Sequence, residues 1–122
     1  MDFFFEKLAV YQQAVEFAGI ANKLSGDFPR GSYSLADQLR RASLSIPANI
    51  AEGSGRFHKA DKRNFYIIAR GSAYECVPLL KVAHDCRAID ETMHLDLRDR
   101  LMALVKMLTR LEQSVHINKD KN

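Results

Sequence analysis

The sequence predicts an all-α fold, a single domain over residues 1–122 that forms an up-down-up-down antiparallel four-helix bundle. Apolar residues recur at spacings of three and four in four long stretches. The connections between these stretches are short, and no stretch shows the apolar–polar alternation of a β-strand. A chain of 122 residues with 47% hydrophobic and 27% charged residues is long enough to bury one core.

The first helix is predicted over about residues 5–25. Its inward stripe comprises Val10, Ala14, Phe17, Ala21 and Leu24. Gly26 follows the last residue of the stripe and Pro29 prevents continuation, so the helix ends there. The segment Phe3–Phe5 is too apolar for a free tail, and we expect it to pack against a neighbouring helix or subunit.

The second helix is predicted over about residues 33–54. Ser34 with Asp37 three residues later resembles a capping box. The inward stripe comprises Leu35, Leu39, Ala42, Ile46, Asn49 and Gly53. Pro47 lies inside this pattern and removes one backbone hydrogen bond, which predicts a kink because the stripe continues in phase beyond it.

The third helix is predicted over about residues 59–87, with a second kink at Pro78. Its predicted inward stripe comprises Phe65, Ile68, Ser72, Glu75, Leu79, Val82 and Cys86. Ala69 and Gly71 are small, so we expect them to let the second and third helices approach closely.

The fourth helix is predicted over about residues 91–116, with Asp90 as its N-cap. Its stripe is the most regular in the chain and comprises Leu97, Leu101, Leu104, Leu108, Leu111 and Val115. Residues 118–122 are polar, and we expect this tail to be frayed.

Polar residues occupy positions that the helical repeat assigns to the core, namely Asn49, Ser72 and Glu75. If the second and third helices fold back on each other, Arg41 comes opposite Glu75 and Ser45 comes opposite Ser72. A buried carboxylate needs a partner, so we expect an Arg41–Glu75 ion pair. The predicted structural polar network comprises Arg41, Ser45, Asn49, Glu52, Ser72 and Glu75.

The turn at residues 55–63, here called the basic turn, carries the densest positive charge in the chain. Its four cations, with Phe57 available for stacking, are one candidate for contact with nucleic-acid phosphates. The alternative is a solvated tip of a helical hairpin. The candidate contact residues are Arg56, Lys59, Lys62 and Arg63.

Catalytic and metal sites are poorly supported by the sequence. A cluster of Asn49, Glu52 and Glu75 is one alternative, but di-iron bundles need two Glu-x-x-His motifs and this chain has one, Glu91 to His94, expected to face solvent. Some helical nucleases carry an Arg followed four to six residues later by a His. The pairs that fit are Arg110 with His116 and Arg87 with His94. We expect no enzymatic activity, no cofactor and no small-molecule substrate.

The compartment is predicted from cysteines and hydropathy. Cys76 and Cys86 are too far apart along one helix to bridge, and we expect both to be small buried side chains in a reducing cytosol. No signal peptide is recognised, and no apolar run approaches the ~18 residues of a membrane span. The chain is therefore predicted to be cytoplasmic, without a membrane partner.

Three runs in the second and third helices resemble a known family. They are QLRRA at 38–42, SIPANIAEG at 45–53 and ARGS at 69–72, with Glu75 following. This arrangement resembles the four-helix bundle proteins encoded in intervening sequences of bacterial 23S ribosomal RNA, over about residues 5–115. The resemblance implies a homopentamer, and a relation to the accessory proteins of diversity-generating retroelements, pentameric bundles thought to bind nucleic acid and a reverse transcriptase. It names no catalytic residues.

The function predicted from these observations is a non-enzymatic oligomeric bundle, pentameric by resemblance, that acts as a scaffold associated with RNA, DNA or a ribonucleoprotein. One alternative is a protein–protein assembly module that binds no nucleic acid. A further alternative is a ribonuclease-like helical domain.

Overall fold

A computed structural model describes residues 2–116. A short 3₁₀ helix at Phe4–Lys7 is followed by four α-helices. They are α1 (Ala9–Ser25), α2 (Tyr33–Ser54), α3 (Lys59–Asp85) and α4 (Glu91–Gln113). No strand is present between residues 2 and 116, so the predicted all-α class is confirmed.

The helices pack as a bundle around one apolar core. α2 packs on α1 and α3, and α4 packs on α3 and α1. Within the described residues α1 and α3 do not contact each other, so they lie on the diagonal of the bundle. Ser54 bonds to Tyr66 and Ser45 bonds to Ser72, which pairs later residues of α2 with earlier residues of α3. These two helices therefore run in opposite directions.

Helix α1 begins at Ala9, later than the predicted start near residue 5. Leu8 has an extended backbone, which separates α1 from the preceding 3₁₀ turn. The ring of Phe5 packs edge-on against Tyr11, with 5.0 Å between ring centroids. Phe3 stacks on Phe5 but stays 70% exposed. The expected packing on a helix therefore applies to Phe5 within the chain, whereas Phe3 faces solvent.

The predicted inward stripe of α3 is displaced by one residue. The residues that α3 buries are Tyr66, Ala69, Ala73, Cys76, Leu80 and Ala83. Ile68, Glu75 and Val82, which were assigned to the core, are exposed. The buried stripe of α3 consists mainly of Ala and Cys, and several larger aliphatic residues are exposed. The prediction assigned the larger side chains to the core, so it gave the wrong helical phase.

Helices α2 and α3 continue without interruption past Pro47 and Pro78. The kinks at these prolines stay a prediction. The expected capping box at Ser34 and Asp37 is absent, because α2 begins at Tyr33 and its N-cap, Ser32, makes no side-chain capping bond. At α4, Asp90 Oδ1 accepts a hydrogen bond of 2.8 Å from Met93 N, as its role of N-cap requires.

The close approach of α2 and α3 occurs at Gly53 and not at Gly71, where it was predicted. A Cβ on Gly71 would meet no atom within 4 Å, so Gly71 is not at the contact of α2 and α3. A Cβ on Gly53 would lie 2.9 Å from Phe65 Cβ and 2.9 Å from Tyr66 Cε1. Gly53 is therefore the residue that permits the close approach of these helices.

The two cysteines are both unpaired but lie in different surroundings. Cys76 is buried, and burial with the nearby Glu75 charge raises its thiol pKa to about 12. Cys86 is exposed just after the end of α3. The expectation that both are buried is wrong for Cys86, because α3 ends at Asp85 and the chain turns there, with Arg87 at φ 65°.

Candidate functional site

The cation of Lys62 is used inside the fold. Its Nζ donates hydrogen bonds to Gly53 O at 3.1 Å and to Ser54 O at 2.9 Å. These carbonyls lie in the last turn of α2, where backbone acceptors have no partner within the helix. Lys62 therefore caps α2 from the first turn of α3. Sequence reasoning had assigned it only a role in external contact.

The remaining cations of the basic turn differ in how far they are engaged. Arg56 Nη2 lies 3.0 Å from Glu52 Oε2, and its guanidinium lies 4.6 Å from the centre of the Phe65 ring. Arg63 Nε lies 3.6 Å from Glu112 Oε2. Lys59 is exposed and forms no ion pair with any described residue. Lys59 is thus the cation of this turn with the greatest freedom to meet an external anion.

An aromatic side chain projects from the same turn. Phe57 is 92% exposed, and its ring meets the His58 ring edge-on at 5.3 Å. Exposure of this degree leaves most of a large apolar ring available for stacking.

Three members of the predicted polar network are joined by hydrogen bonds, one of which crosses from α3 to α2. Ser72 Oγ donates to Ser45 Oγ at 2.8 Å. Asn49 Nδ2 donates to Ser45 O at 2.8 Å and to Ser45 Oγ at 2.9 Å. All three side chains are half-buried. This arrangement links one position of α2 to one position of α3.

The other three members lie apart from this cluster, and the expected Arg41–Glu75 ion pair is not formed. Arg41 Nη2 lies 2.9 Å from Asp37 Oδ2, one turn earlier on α2, and the Arg41 side chain is largely exposed. Glu75 is also exposed and forms no ion pair with any described residue. Glu52 pairs with Arg56. The prediction was wrong because the predicted buried stripe of α3 is displaced by one residue from the observed stripe. Glu75 belongs to the predicted stripe but lies at the surface.

A groove between α1 and α2, which was not predicted, is lined by no charged residue among residues 2–116. Its volume is about 520 Å³. Its lining comprises Tyr11, Val15, Ala18, Gly19, Asn22, Leu44, Pro47, Ala48 and Ala51. We call it the α1/α2 groove. Small residues on both walls leave room for an incoming helix.

A second apolar surface lies on the outward side of α3. It comprises Ile67, Ile68, Gly71 and Val82, and we call it the outer α3 face. Because α3 is diagonal to α1, this face and the α1/α2 groove lie on different sides of the bundle. Ile67, Ile68 and Gly71 lie within about one turn of each other, whereas Val82 lies further along α3, beyond Glu75. Exposed apolar residues on one side of a helix are typical of sites of association.

The residues considered for catalysis or metal binding do not come together in one site. His94 was expected to face solvent but is buried to 9% exposure, where its ring stacks on His84 with 4.8 Å between centroids. Burial, and then the positive charges of His84, Lys81 and Arg98, lower the pKa of His94 against an opposing effect of Asp85. Across residues 2–116 no group of three or more His, Cys, Asp or Glu side chains could hold a metal ion.

The arrangement described above defines an all-helical bundle with two exposed apolar surfaces and a basic turn. The sequence model of one protein family, described as 23S rRNA-intervening sequence protein, matches residues 6–110. The chain belongs to this family, as the resemblance of the runs in α2 and α3 predicted.

A solved structure has the same fold. It is the crystal structure, at 1.70 Å resolution, of a protein of unknown function from the S23 ribosomal protein family of Bacteroides thetaiotaomicron VPI-5482. The TM-score is 0.81 at 23% sequence identity, over 85% of this chain and 98% of the other. A search of curated proteins gives no match. None of the helices in the described part of the chain is long and apolar enough to span a membrane.

Proposed function

We propose that this protein is a self-assembling helical scaffold without enzymatic activity, and that it acts in the cytoplasm. The observation that carries the proposal is the pair of apolar surfaces on different sides of the bundle, the α1/α2 groove and the outer α3 face. Two unpaired cysteines are in keeping with a reducing compartment.

The two surfaces favour assembly from head to tail. They differ in shape and composition, so a copy of the chain offers its outer α3 face to the α1/α2 groove of the next copy. An interface of this kind leaves one free surface of each type at every step, and it ends only when a ring closes. The resemblance to the intervening-sequence proteins supplies the number of copies that we propose, which is five.

Two glycines inside helices support the same interface. Gly19 lies in the α1/α2 groove and Gly71 on the outer α3 face, and a Cβ on either would meet nothing within 4 Å. Glycine in a helix interior costs about 1 kcal/mol relative to alanine. No contact among the described residues of the isolated chain offsets that cost. A neighbouring helix at close range would, because backbones approach most closely where no Cβ intervenes.

The experiment that tests this proposal is a mass measurement in solution by light scattering after size-exclusion chromatography. The wild-type chain is expected at five times the monomer mass, and Ala48→Glu at the monomer mass, since it places a charge in the uncharged groove. Gln13→Glu, an exposed change outside the groove lining, is the matched control and should assemble like wild type. A monomeric wild-type chain would refute the proposal.

A second candidate function is contact with nucleic acid at the basic turn. It is favoured by the exposed ring of Phe57 beside the cations of Arg56 and Lys59. Lys62 and Arg63, the other two candidate contacts, are held by α2 and by Glu112, so they would contribute less. In a ring the turn would be repeated in each copy, and the contacts would add.

This second function is tested by titrating a 20-nucleotide poly(U) RNA at several salt concentrations. Phosphate-led binding should weaken steeply as salt increases. The double variant Phe57→Ala with Lys59→Glu should weaken it at least tenfold, whereas Lys23→Glu, an exposed cation on α1, should not. RNA binding that is equal in both variants would remove the basic turn from consideration.

A further inference from the structure

The outside of the α3–α4 pair carries a groove that none of the features above explains. Its floor is apolar, formed by Tyr74, Val77, Met102 and Val105 over the buried Leu101. Tyr74 is 58% exposed and Met102 is 52% exposed. The cavity over this floor has a volume of about 270 Å³. It adjoins a second cavity of about 260 Å³ nearer the α3–α4 turn, and both are lined by Val77, Arg98 and Leu101. We call the continuous surface the α3/α4 groove.

The rim of the α3/α4 groove is cationic. Its cations are Arg98, Lys106 and Lys81, of which Lys81 pairs with Asp85, and no Asp or Glu among the described residues lines it. Arg98 and Lys106 form no ion pair with any described residue, and their separation of eight residues on α4 places them about 12 Å apart. Two cations without ion pairs beside an apolar floor would be complemented by a ligand that has an apolar ridge with carboxylates along its edge.

A second copy of this chain is a poor match for the groove. The described lining of the α1/α2 groove contains no charged residue. Of the acidic residues elsewhere on the outside of the bundle, Glu16 pairs with Arg100 and Asp37 pairs with Arg41. Asp27, Asp61 and Asp99 are exposed, but none of them lines the α1/α2 groove or belongs to the outer α3 face. The outer α3 face has one neighbouring acid, Glu75. A nucleic-acid backbone satisfies the cations but offers no apolar ridge to cover Met102 and Val77.

We propose that the α3/α4 groove binds an acidic amphipathic helix of another protein. The apolar ridge of that helix covers Tyr74, Val77 and Met102, and its carboxylates lie against Arg98 and Lys106. This is the helix-in-groove mode of recognition, in which anchors at i, i+3, i+4 and i+7 enter an apolar channel. The charges set orientation and association rate, and the apolar floor supplies most of the affinity. The groove lies on the α4 side of α3, and Tyr74 is one turn beyond Gly71 of the outer α3 face. The monomeric variant Ala48→Glu therefore tests whether binding depends on assembly.

The probe is a fluorescein-labelled 18-residue helical peptide with Leu at i, i+3, i+4 and i+7 and Glu on both flanks, measured by fluorescence anisotropy. Two control peptides are used, one with the same composition in scrambled order and one with Lys in place of Glu. We expect the first peptide to bind and both controls to bind at least tenfold more weakly. Equal binding of the scrambled peptide would overturn the proposal, because it would show attraction by charge alone.

Protein variants locate the site. The double variant Arg98→Glu with Lys106→Glu should reduce the affinity for the peptide at least tenfold, since two favourable charge contacts become repulsive. Met102→Asp, which alters the floor and leaves the rim cations in place, should do the same. The matched control is Lys7→Glu with Lys23→Glu, which reverses two exposed cations elsewhere and should leave the affinity unchanged. Circular dichroism checks that each variant is folded.

Three results would overturn the inference. The first is an unchanged affinity in the Arg98 and Lys106 variant. The second is a poly(U) RNA that binds at the groove and loses affinity in that variant while the peptide does not bind. The third is a loss of peptide binding in monomeric Ala48→Glu, which would place the peptide at a junction between copies. Retained binding in Ala48→Glu supports the inference and keeps it separate from the assembly proposal.

Discussion

At the scale of single residues, charge in the sequence was a poor guide to role. Lys62 was grouped with Arg56, Lys59 and Arg63 because all four fall in one short turn. The structure shows that Lys62 closes the end of α2, a role that depends on the fold-back of α3 and on two carbonyls eight and nine residues earlier. Composition and spacing cannot report where an ammonium group finds its acceptors. By contrast, the Asp90 cap is local and was predicted correctly.

The role of Lys62 gives a stability prediction. Lys62→Met keeps the aliphatic stem and removes the donor, leaving Gly53 O and Ser54 O without it. We expect the free energy of unfolding to fall by about 1 kcal/mol in urea denaturation. Lys59→Met is the control and should change it by less than about 0.5 kcal/mol, because Lys59 is exposed and pairs with no acidic residue in the described part of the chain. Equal effects of the two substitutions would contradict the capping role.

His94 gives a prediction of pH dependence. Its pKa in the folded state lies below the ordinary value of 6.5, because burial and neighbouring positive charge disfavour the imidazolium. The unfolded chain therefore binds a proton more readily than the folded chain. The contribution to stability is complete above about pH 6.5 and is lost as the pH falls towards the lowered folded pKa. His84, Lys81, Asp85 and Arg98 are the charged groups that act on it.

This behaviour is checked by urea denaturation of wild type and His94→Gln between pH 7.5 and pH 5. The wild type should lose more stability over that range than the variant does. His58→Gln, which changes an exposed histidine, should follow wild type. Parallel losses in wild type and His94→Gln would show that another group governs the acid sensitivity.

At the scale of elements, the existence and order of the helices could be predicted, but the phase of α3 could not. Apolar spacing, Gly26 and Pro29 were enough to separate α1 from α2. In α3 the buried seam consists largely of Ala69, Ala73, Cys76 and Ala83, while Ile68 and Val82 lie outside. In the sequence of a single chain, a large apolar residue is assigned to the core, although it is equally suited to an interface between chains. The phase error thus points to the same outer α3 face that the assembly proposal uses.

Two glycines test this view of the helices. Gly53→Ala should lower the free energy of unfolding by about 1–3 kcal/mol, since its Cβ would overlap Phe65 and Tyr66. Gly71→Ala should raise it by up to about 1 kcal/mol, because the site is open and alanine favours helix. Both are measured in the Ala48→Glu background, so that assembly does not contribute. The reverse order of effects would refute the assigned positions of these residues.

At the scale of the whole molecule, the family was recognisable from local runs of sequence, whereas the candidate surfaces were not. The α1/α2 groove and the α3/α4 groove each combine residues from two helices that are distant in sequence. Of the predicted polar network, the part that lies between adjacent turns of α2 and α3, Ser45, Asn49 and Ser72, came together. The part that relied on the wrong phase of α3, Arg41 with Glu75, did not.

The central claim is that copies of this chain join head to tail through two different surfaces. Ala48→Glu removes the α1/α2 groove and leaves the outer α3 face, while Ile68→Glu does the opposite. Each variant alone should be monomeric by native mass spectrometry. Mixed in equal amounts, they should form a dimer with one copy of each, because one intact junction remains between them. A mixture that stays monomeric, or single variants that assemble like wild type, would contradict the claim.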